Sequence, residues 1–183
     1  PDEGLGYFNL ADFKSKRGEH GATIEFLNRA IELQPHYPHA FNQRGMAKRQ
    51  LGDLEGAIAD YGEALKLDSN LAAAYNNRAN ARAVLKNYAA AIPDFDRAIE
   101  LNPDDAGAFA NRGNAYLMLE DFSQAVADYD KALVADPTNL TVRINRGVCQ
   151  VFLGERAEGC ADLQLAASQG APQAQAHLQT YCQ

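Results

Sequence analysis

Apolar residues recur along this chain at the spacing of amphipathic helices, in short segments separated by turn signals. The spacing is clear in Ile58, Tyr61 and Leu65, and again in Val126, Tyr129 and Leu133. Residues three, four and seven apart lie on one face of a helix. Glycine- and proline-containing turns, such as those at Gly52 and Pro103, interrupt the pattern. The chain is therefore predicted to be a series of short amphipathic helices.

The helical pattern returns with a period of 34 residues. Repeats that start at Gly4, Pro38, Ala72, Ala106 and Leu140 align small residues at three of their positions. These are position eight (Ala11, Gly45, Ala79, Gly113, Gly147), position twenty (Thr23, Ala57, Ala91, Ala125, Gly159) and position twenty-seven (Ala30, Ala64, Ala98, Ala132, Ala166). Small residues at fixed points let two helices approach closely. The period indicates a solenoid of helical hairpins.

This pattern resembles the tetratricopeptide repeat (TPR) family. The resemblance rests on the small residues, on a large apolar residue at position twenty-four (Tyr61, Phe95, Tyr129, Leu163) and on a proline near position thirty-two (Pro35, Pro103, Pro137). It implies an all-α, right-handed α-solenoid of five hairpins, at about 4–37, 38–71, 72–105, 106–139 and 140–173. Residues 174–183 are predicted to form a capping helix. We therefore expect a single TPR domain over residues 1–183.

Charge and composition exclude some classes of partner. The formal net charge is −7 and the pI is about 5.0, and the lysines and arginines form no basic stripe. A nucleic-acid partner is therefore not expected. No apolar run has the length of a membrane span, so membrane insertion is not expected either.

Arginine and aspartate repeat in step, at positions seven and twenty-three. The arginines are Arg44, Arg78, Arg112 and Arg146, and the aspartates are Asp60, Asp94, Asp128 and Asp162. Position seven lies on the first helix of a hairpin and position twenty-three on the second, so the two side chains can meet. We interpret them as structural ion pairs rather than as the basic wall of a groove, because the acids repeat with the arginines.

Carboxamides form a second row on the first helices. Position six carries Asn9, Gln43, Asn77, Asn111 and Asn145, while Asn76 occupies position five and Asn80 and Asn114 position nine. The resemblance implies that these positions line a concave groove that binds peptides. A carboxamide both donates and accepts, so a row of them can pair with a peptide backbone. No repeated partner faces them, so they are either partner contacts or simply solvated polar groups.

The same face becomes apolar towards the C-terminal end. It carries Leu117, Met118, Ile144, Val148, Val151 and Phe152, of which Met118 and Phe152 join the predicted partner contacts. An exposed apolar patch is typical of a binding surface. Alternatively, the capping helix folds over part of it.

Two specialised activities find no support in the sequence. TPR co-chaperones grip a terminal carboxylate with a lysine at position five, and here that position holds Phe8, Asn42, Asn76, Ala110 and Ile144. The carboxylate clamp for chaperone tails is therefore missing. The sequence contains no recognisable set of catalytic residues, metal-ligand spacing or phosphate-binding glycine loop. We therefore expect no enzymatic activity, no cofactor and no metal.

The three cysteines leave two interpretations open. Cys149, Cys160 and Cys182 are either buried thiols or include a Cys160–Cys182 disulfide. The sequence assigns no compartment: the cytoplasm is slightly favoured, whereas the disulfide would indicate the periplasm or another oxidising compartment. The chain begins at Pro1 without a methionine, so a leader or further domain stays an open question.

Two functions from different classes follow from these patterns. The first is a non-catalytic adaptor or assembly factor that binds a peptide or an extended partner segment in its groove. The second is a structural scaffold that self-associates, or enters a larger complex, through its ends or convex face. Phe8, Phe13, Phe26 and the capping helix would then form the contacts.

Overall fold

The computed structural model describes residues 3–183, which form eleven α-helices and no strand. The first ten form five hairpins and the eleventh follows the last hairpin. Their bounds are α1 Glu3–Lys16, α2 His20–Leu33, α3 Pro38–Gln50, α4 Leu54–Leu67, α5 Ala72–Val84, α6 Tyr88–Leu101, α7 Ala106–Met118, α8 Phe122–Ala135, α9 Leu140–Phe152, α10 Arg156–Ser168 and α11 Pro172–Tyr181. The predicted all-α hairpin fold is confirmed, and α11 begins two residues before the predicted capping helix.

Two compact units divide the chain, one ending at Leu101 and the other beginning at Asn102. The N-terminal unit contains hairpins one to three (α1 to α6). The C-terminal unit contains hairpins four and five (α7 to α10) together with α11. Within each unit, the second helix of a hairpin packs against the first helix of the next, as α2 does on α3, α4 on α5 and α8 on α9. The single domain over residues 1–183 stays a prediction.

Local sequence signals set where the helices begin and turn. Asp53, Asp105, Asp121 and Asn139 accept a hydrogen bond from the backbone N–H three residues later, which caps α4, α7, α8 and α9. Gly52 and Gly154 have a φ of 86° in the tight turns inside hairpins two and five. This is the left-handed conformation that glycine adopts most easily.

Glycine at position eight allows the closest helix approach in hairpins two and four. A Cβ atom on Gly45 would lie 2.7 Å from Cε1 of Tyr61, and one on Gly113 would lie 2.7 Å from Cε1 of Tyr129. Both tyrosine side chains are fully buried. Each ring therefore occupies the space that a larger residue at position eight would need.

A disulfide between Cys160 and Cys182 ties the C-terminal end of the chain to α10. Cys149 is a free thiol, is fully buried, and has a pKa raised to about 11 by that burial. The structure therefore combines the two interpretations of the cysteines, with one bridge and one core thiol. Ala174 and Leu178 of α11 pack on Ile144, Leu163 and Ala166 of hairpin five.

Candidate functional site

The arginine and aspartate rows meet inside hairpins two to five. In each pair the arginine donates two hydrogen bonds, from Nε and Nη2, to the two carboxylate oxygens of one aspartate. The pairs are Arg44–Asp60 at 2.8 and 2.7 Å, Arg78–Asp94 at 2.8 and 2.6 Å, Arg112–Asp128 at 2.8 and 2.7 Å, and Arg146–Asp162 at 2.7 and 2.9 Å. The aspartates are buried, so the pairs hold the two helices of each hairpin in register.

Other groups complete these ion pairs. Lys48 adds a second cation to Asp60, Arg82 to Asp94 and Arg143 to Asp162. Three arginines also lie over the aromatic ring at position four, as Arg44 over Phe41, Arg78 over Tyr75 and Arg112 over Phe109. Hydrogen bonding to Asp162 raises the pKa of Arg146, and Asp94 acts likewise on Arg78. These cations are engaged inside the hairpins and do not form a basic groove wall.

The carboxamides lie at the surface or just below it. Two of the predicted partner contacts with a carboxamide are exposed, Asn9 and Asn114, and so are the apolar contacts Met118 and Phe152. The other carboxamides are half-buried: Gln43, Asn76, Asn77, Asn80, Asn111 and Asn145. In the N-terminal unit, Asn77 Nδ2 donates to Oδ1 of Asn42, at 3.1 Å. Asn80 Nδ2 donates to Oδ1 of Asn76, at 3.4 Å. The first helices of hairpins two and three are thus joined by an amide–amide hydrogen bond.

The C-terminal unit uses its carboxamides in the same way. Asn145 Nδ2 donates to Oδ1 of Asn114, at 3.0 Å, which joins the first helices of hairpins four and five. Oδ1 of Asn114 also accepts from the hydroxyl of Tyr129, at 2.8 Å. Two donors therefore occupy that oxygen, while the Asn114 amide group keeps its two N–H donors for other partners.

Five carboxamides nevertheless have partners that do not repeat, and these are Asn76, Asn77, Asn80, Asn114 and Asn145. Asn77 bonds to position five of the preceding hairpin, whereas Asn145 bonds to position nine and Asn114 also accepts from Tyr129, so these contacts do not recur with the period of the row. The sequence analysis also missed Asn42, which is only 8% exposed and accepts from Asn77. The sequence could have indicated Asn42, because it occupies position five of its hairpin, as Asn76 does in the next.

The apolar end of the face is partly covered by α11. Ile144 is buried, and Ile144 and Val148 pack against the core formed with α11. Phe152 stacks on Phe122, with ring centroids 4.9 Å apart, and meets Tyr181 of α11 edge-on at 5.7 Å. Met118 and Phe152 nevertheless remain more than half exposed. Both alternatives therefore apply, each to a different part of the patch.

Two other kinds of site are absent from the described residues. No helix of residues 3–183 is long and apolar enough to cross a membrane. Within the same residues, no three His, Cys, Asp or Glu side chains come together where they could hold a metal ion.

Comparisons with known sequences place most of the chain in one family. Tetratricopeptide repeat models match residues 6–37, 72–105 and 106–139, and a TPR repeat model matches residues 45–86. Together these matches cover well over half of the chain. No curated protein matches it.

Solved structures of TPR proteins resemble the whole chain. MamA from Desulfovibrio magneticus RS-1 is 22% identical, with a TM-score of 0.85 over 92% of this chain and 95% of MamA. YrrB, described as a TPR protein with an unusual peptide-binding site, is 20% identical, with a TM-score of 0.85 over 98% of this chain and 93% of YrrB. Pseudomonas aeruginosa pilF is 22% identical, with a TM-score of 0.80 over 91% of this chain and 76% of its own. The repeats, the hairpins and the family models that match most of the chain show that it belongs to the tetratricopeptide repeat family.

Proposed function

We propose that this chain is a non-catalytic adaptor that holds an extended, uncharged segment of a partner protein on the first-helix faces of its hairpins. TPR proteins are interaction modules that bind protein or peptide partners. In the N-terminal unit the face comprises Asn9, Gln43, Asn76, Asn77 and Asn80, and in the C-terminal unit it comprises Asn111, Asn114, Asn145, Met118 and Phe152.

The observation that carries this proposal is the lack of charge on the face of the C-terminal unit. Positions two, five, six, nine, twelve and thirteen of hairpins four and five hold Gly107, Ala110, Asn111, Asn114, Leu117, Met118, Thr141, Ile144, Asn145, Val148, Val151 and Phe152. None of these side chains ionises, although the chain has a net charge of −7. A charged segment would therefore lose water there without gaining a counter-charge.

Hydrogen-bonding capacity on the face supports an extended segment. Each carboxamide has two donors and two acceptor lone pairs, and the internal amide bonds use only part of them. Asn145, for example, donates to Asn114 and also interacts with the hydroxyl of Tyr129, so its side-chain oxygen is the group that can accept from a peptide N–H. Such groups can bond to peptide N–H and C=O without regard to side chains, while Met118 and Phe152 provide apolar contact.

A charge placed on the face tests the proposal. Peptides are first selected from a phage-displayed random dodecamer library against the immobilised chain under non-reducing conditions. The dissociation constants of the enriched peptides are then measured by fluorescence anisotropy. Met118→Glu adds a charge to an exposed residue of the face, and we expect it to weaken binding at least about tenfold.

Val134→Glu is the matched control, because Val134 is an apolar residue of α8 that is 82% exposed and lies outside the face. This variant should bind like the wild type. The proposal is wrong if no peptide is enriched, if the enriched peptides are rich in charged residues, or if the two variants bind equally well.

Self-association is a second candidate function, and one observation favours it. Leu5, Leu10 and Phe13 of α1 are 44, 48 and 56% exposed. The other aromatic residues proposed for this contact are partly engaged, since Phe8 packs on Tyr37 and Phe26 on Tyr7. Sedimentation over a wide concentration range, with Leu10→Glu as the variant, tests this function. A wild type that remains monomeric excludes it.

A further inference from the structure

We infer that the C-terminal unit contains a side-chain subsite, walled by α11, that accepts a neutral hydrogen-bonding side chain of the bound segment. This inference rests on the proposed function and names the residue type that the segment carries at one place. The subsite is a cleft of about 190 Å³ between α9 and α11. Thr141, Ile144 and Asn145 line it from α9, and Gln173 and His177 line it from α11.

The lining combines an apolar residue with polar groups of both kinds. Ile144 is 7% exposed and belongs to the core that α11 completes. The carboxamides of Asn145 and Gln173 and the hydroxyl of Thr141 each donate and accept hydrogen bonds. A side chain with its own donor and acceptor, such as that of glutamine, can therefore satisfy both of its polar atoms in the cleft.

The lack of free charged groups around the cleft disfavours an ionised side chain. Neither α9 nor α11 contains an aspartate or a glutamate. The two arginines of α9 are already engaged, because Arg146 binds Asp162 and Asp130, and Arg143 binds Asp162 and the carbonyl of Pro137. His177 is the titratable side chain of the lining, and its ring stacks on Tyr181. An ionised group would thus enter beside no carboxylate and no unengaged arginine, and its desolvation would weaken binding.

Several independent contacts hold the α11 wall in place. The disulfide at Cys182 fastens the end of the helix to α10, and Ala174 is completely buried. Tyr181 stacks on His177 and meets Phe152 edge-on. Arg156 also donates to the carbonyl of Gln183. The wall is therefore ordered before a ligand arrives, which reduces the entropy that binding would otherwise lose.

The test uses peptides that differ in the charge or the hydrogen-bonding capacity of one side chain. The tightest peptide from the phage selection is synthesised with capped ends, and each residue in turn is replaced by Gln, Glu, Lys or Leu. Anisotropy gives the dissociation constants at neutral pH under non-reducing conditions. We expect one peptide position at which Gln binds at least about tenfold more tightly than Glu and Lys.

Two matched variants then assign that position to the cleft. Gln173→Glu places a carboxylate in the lining, and the preference at this position should change from Gln to Lys. Gln175→Glu adds the same charge to an exposed residue of α11 that does not line the cleft, and the preference for Gln should remain. Circular dichroism confirms that both variants are folded.

The outcomes separate this inference from the proposed function. If peptides bind but no position distinguishes Gln from Glu and Lys, the subsite is wrong and the adaptor function stands. Equal effects of Gln173→Glu and Gln175→Glu also refute the subsite. The absence of any enriched peptide refutes both.

Discussion

Hairpins two and four have almost the same interior but differ at one polar contact. In both, a tyrosine at position twenty-four is fully buried beside a glycine at position eight, and an arginine is bonded twice to a buried aspartate. The hydroxyl of Tyr129 donates to Asn114 in hairpin four. In hairpin two, Met46 occupies the place of Asn114, and the hydroxyl of Tyr61 has no hydrogen-bond partner among the described residues.

The comparison separates the shared from the variable parts of these hairpins. The ion pair also recurs in hairpins three and five, so it belongs to the framework of hairpins two to five. The close glycine–tyrosine contact is common to hairpins two and four, whereas hairpin three has Ala79 and Phe95 at these positions. Position nine, by contrast, varies between Asn114 and Met46 even though a buried hydroxyl depends on it. A hydroxyl that is buried without a partner costs roughly 1–3 kcal/mol, and hairpin two tolerates this cost.

The largest effect should come from removing the shared aspartates. We expect Asp60→Ala and Asp128→Ala each to lower the free energy of unfolding by about 3 kcal/mol, because a partly buried arginine would lose its counter-charge. Urea denaturation followed by circular dichroism measures this. Asp130→Ala is the control: Asp130 is half exposed and pairs with Arg146, so the loss should stay below about 1 kcal/mol. Losses that are small for both buried aspartates would contradict the framework role.

Adding a methyl group at position eight should have the next largest effect. Gly45→Ala and Gly113→Ala place a Cβ atom 2.7 Å from a buried tyrosine ring, so we expect each to lower the free energy of unfolding by about 1–2 kcal/mol. Gly62→Ala in α4 is the control, since the nearest atom to its Cβ lies 3.9 Å away. That change should raise stability by roughly 0.5–1 kcal/mol through helix propensity alone. Equal results at the three glycines would show that the contacts are not tight.

Removing the tyrosine hydroxyls should change the free energy of unfolding differently in the two hairpins. Tyr129→Phe deletes a buried hydrogen bond, so we expect a loss of about 1 kcal/mol in the free energy of unfolding. Tyr61→Phe deletes an unpartnered hydroxyl and should leave stability unchanged or higher. Met46→Asn should supply the missing acceptor, and in that background Tyr61→Phe should cost about 1 kcal/mol. Identical losses for the two tyrosines in the wild-type chain would refute the comparison.

Alkaline pH should give the smallest effect. Burial raises the pKa of Tyr61 to about 12, above its ordinary value of 10, and it raises the pKa of Tyr129 as well. As the pH rises, Tyr61 ionises near pH 10 in the unfolded chain but only near pH 12 in the folded chain. Ionisation therefore favours the unfolded chain above pH 10, and the free energy of unfolding falls between pH 10 and 12. At pH 10.5 the loss should be below about 1 kcal/mol. Denaturation curves of the wild type and Tyr61→Phe at pH 8 and 10.5 measure this loss. If the free energy of unfolding falls equally in both, the loss does not come from Tyr61.

The sequence predicted the hairpins and the partners of their ion pairs because both follow the period of the repeat. Arg44 and Asp60 recur together in later hairpins, so their contact could be inferred without coordinates. The caps could be inferred for the same reason, since Asp53 and Asp121 stand directly before their helices.

Contacts that do not follow the period could not be predicted. Asn77 bonds to position five of the preceding hairpin, whereas Asn145 bonds to position nine, so no repeated rule connects them. The cleft beside α11 depends on how a non-repeated helix packs against Ile144. Sequence spacing likewise left two interpretations of Cys160 and Cys182, because it does not state the distance between two thiols.

If a partner segment binds as we propose, the amide bonds between neighbouring first helices make part of its capture an exchange reaction. A segment that recruits the bonded N–H of Asn145 displaces Asn114 as its acceptor, so that contact contributes only the difference between the new bond and the old one. Affinity would then grow with the number of contacts along the segment rather than with the strength of any one of them. A short peptide would leave quickly, and a long segment with a correctly placed neutral side chain would remain bound. For such a segment, the polar face would discriminate by length before it discriminates by sequence.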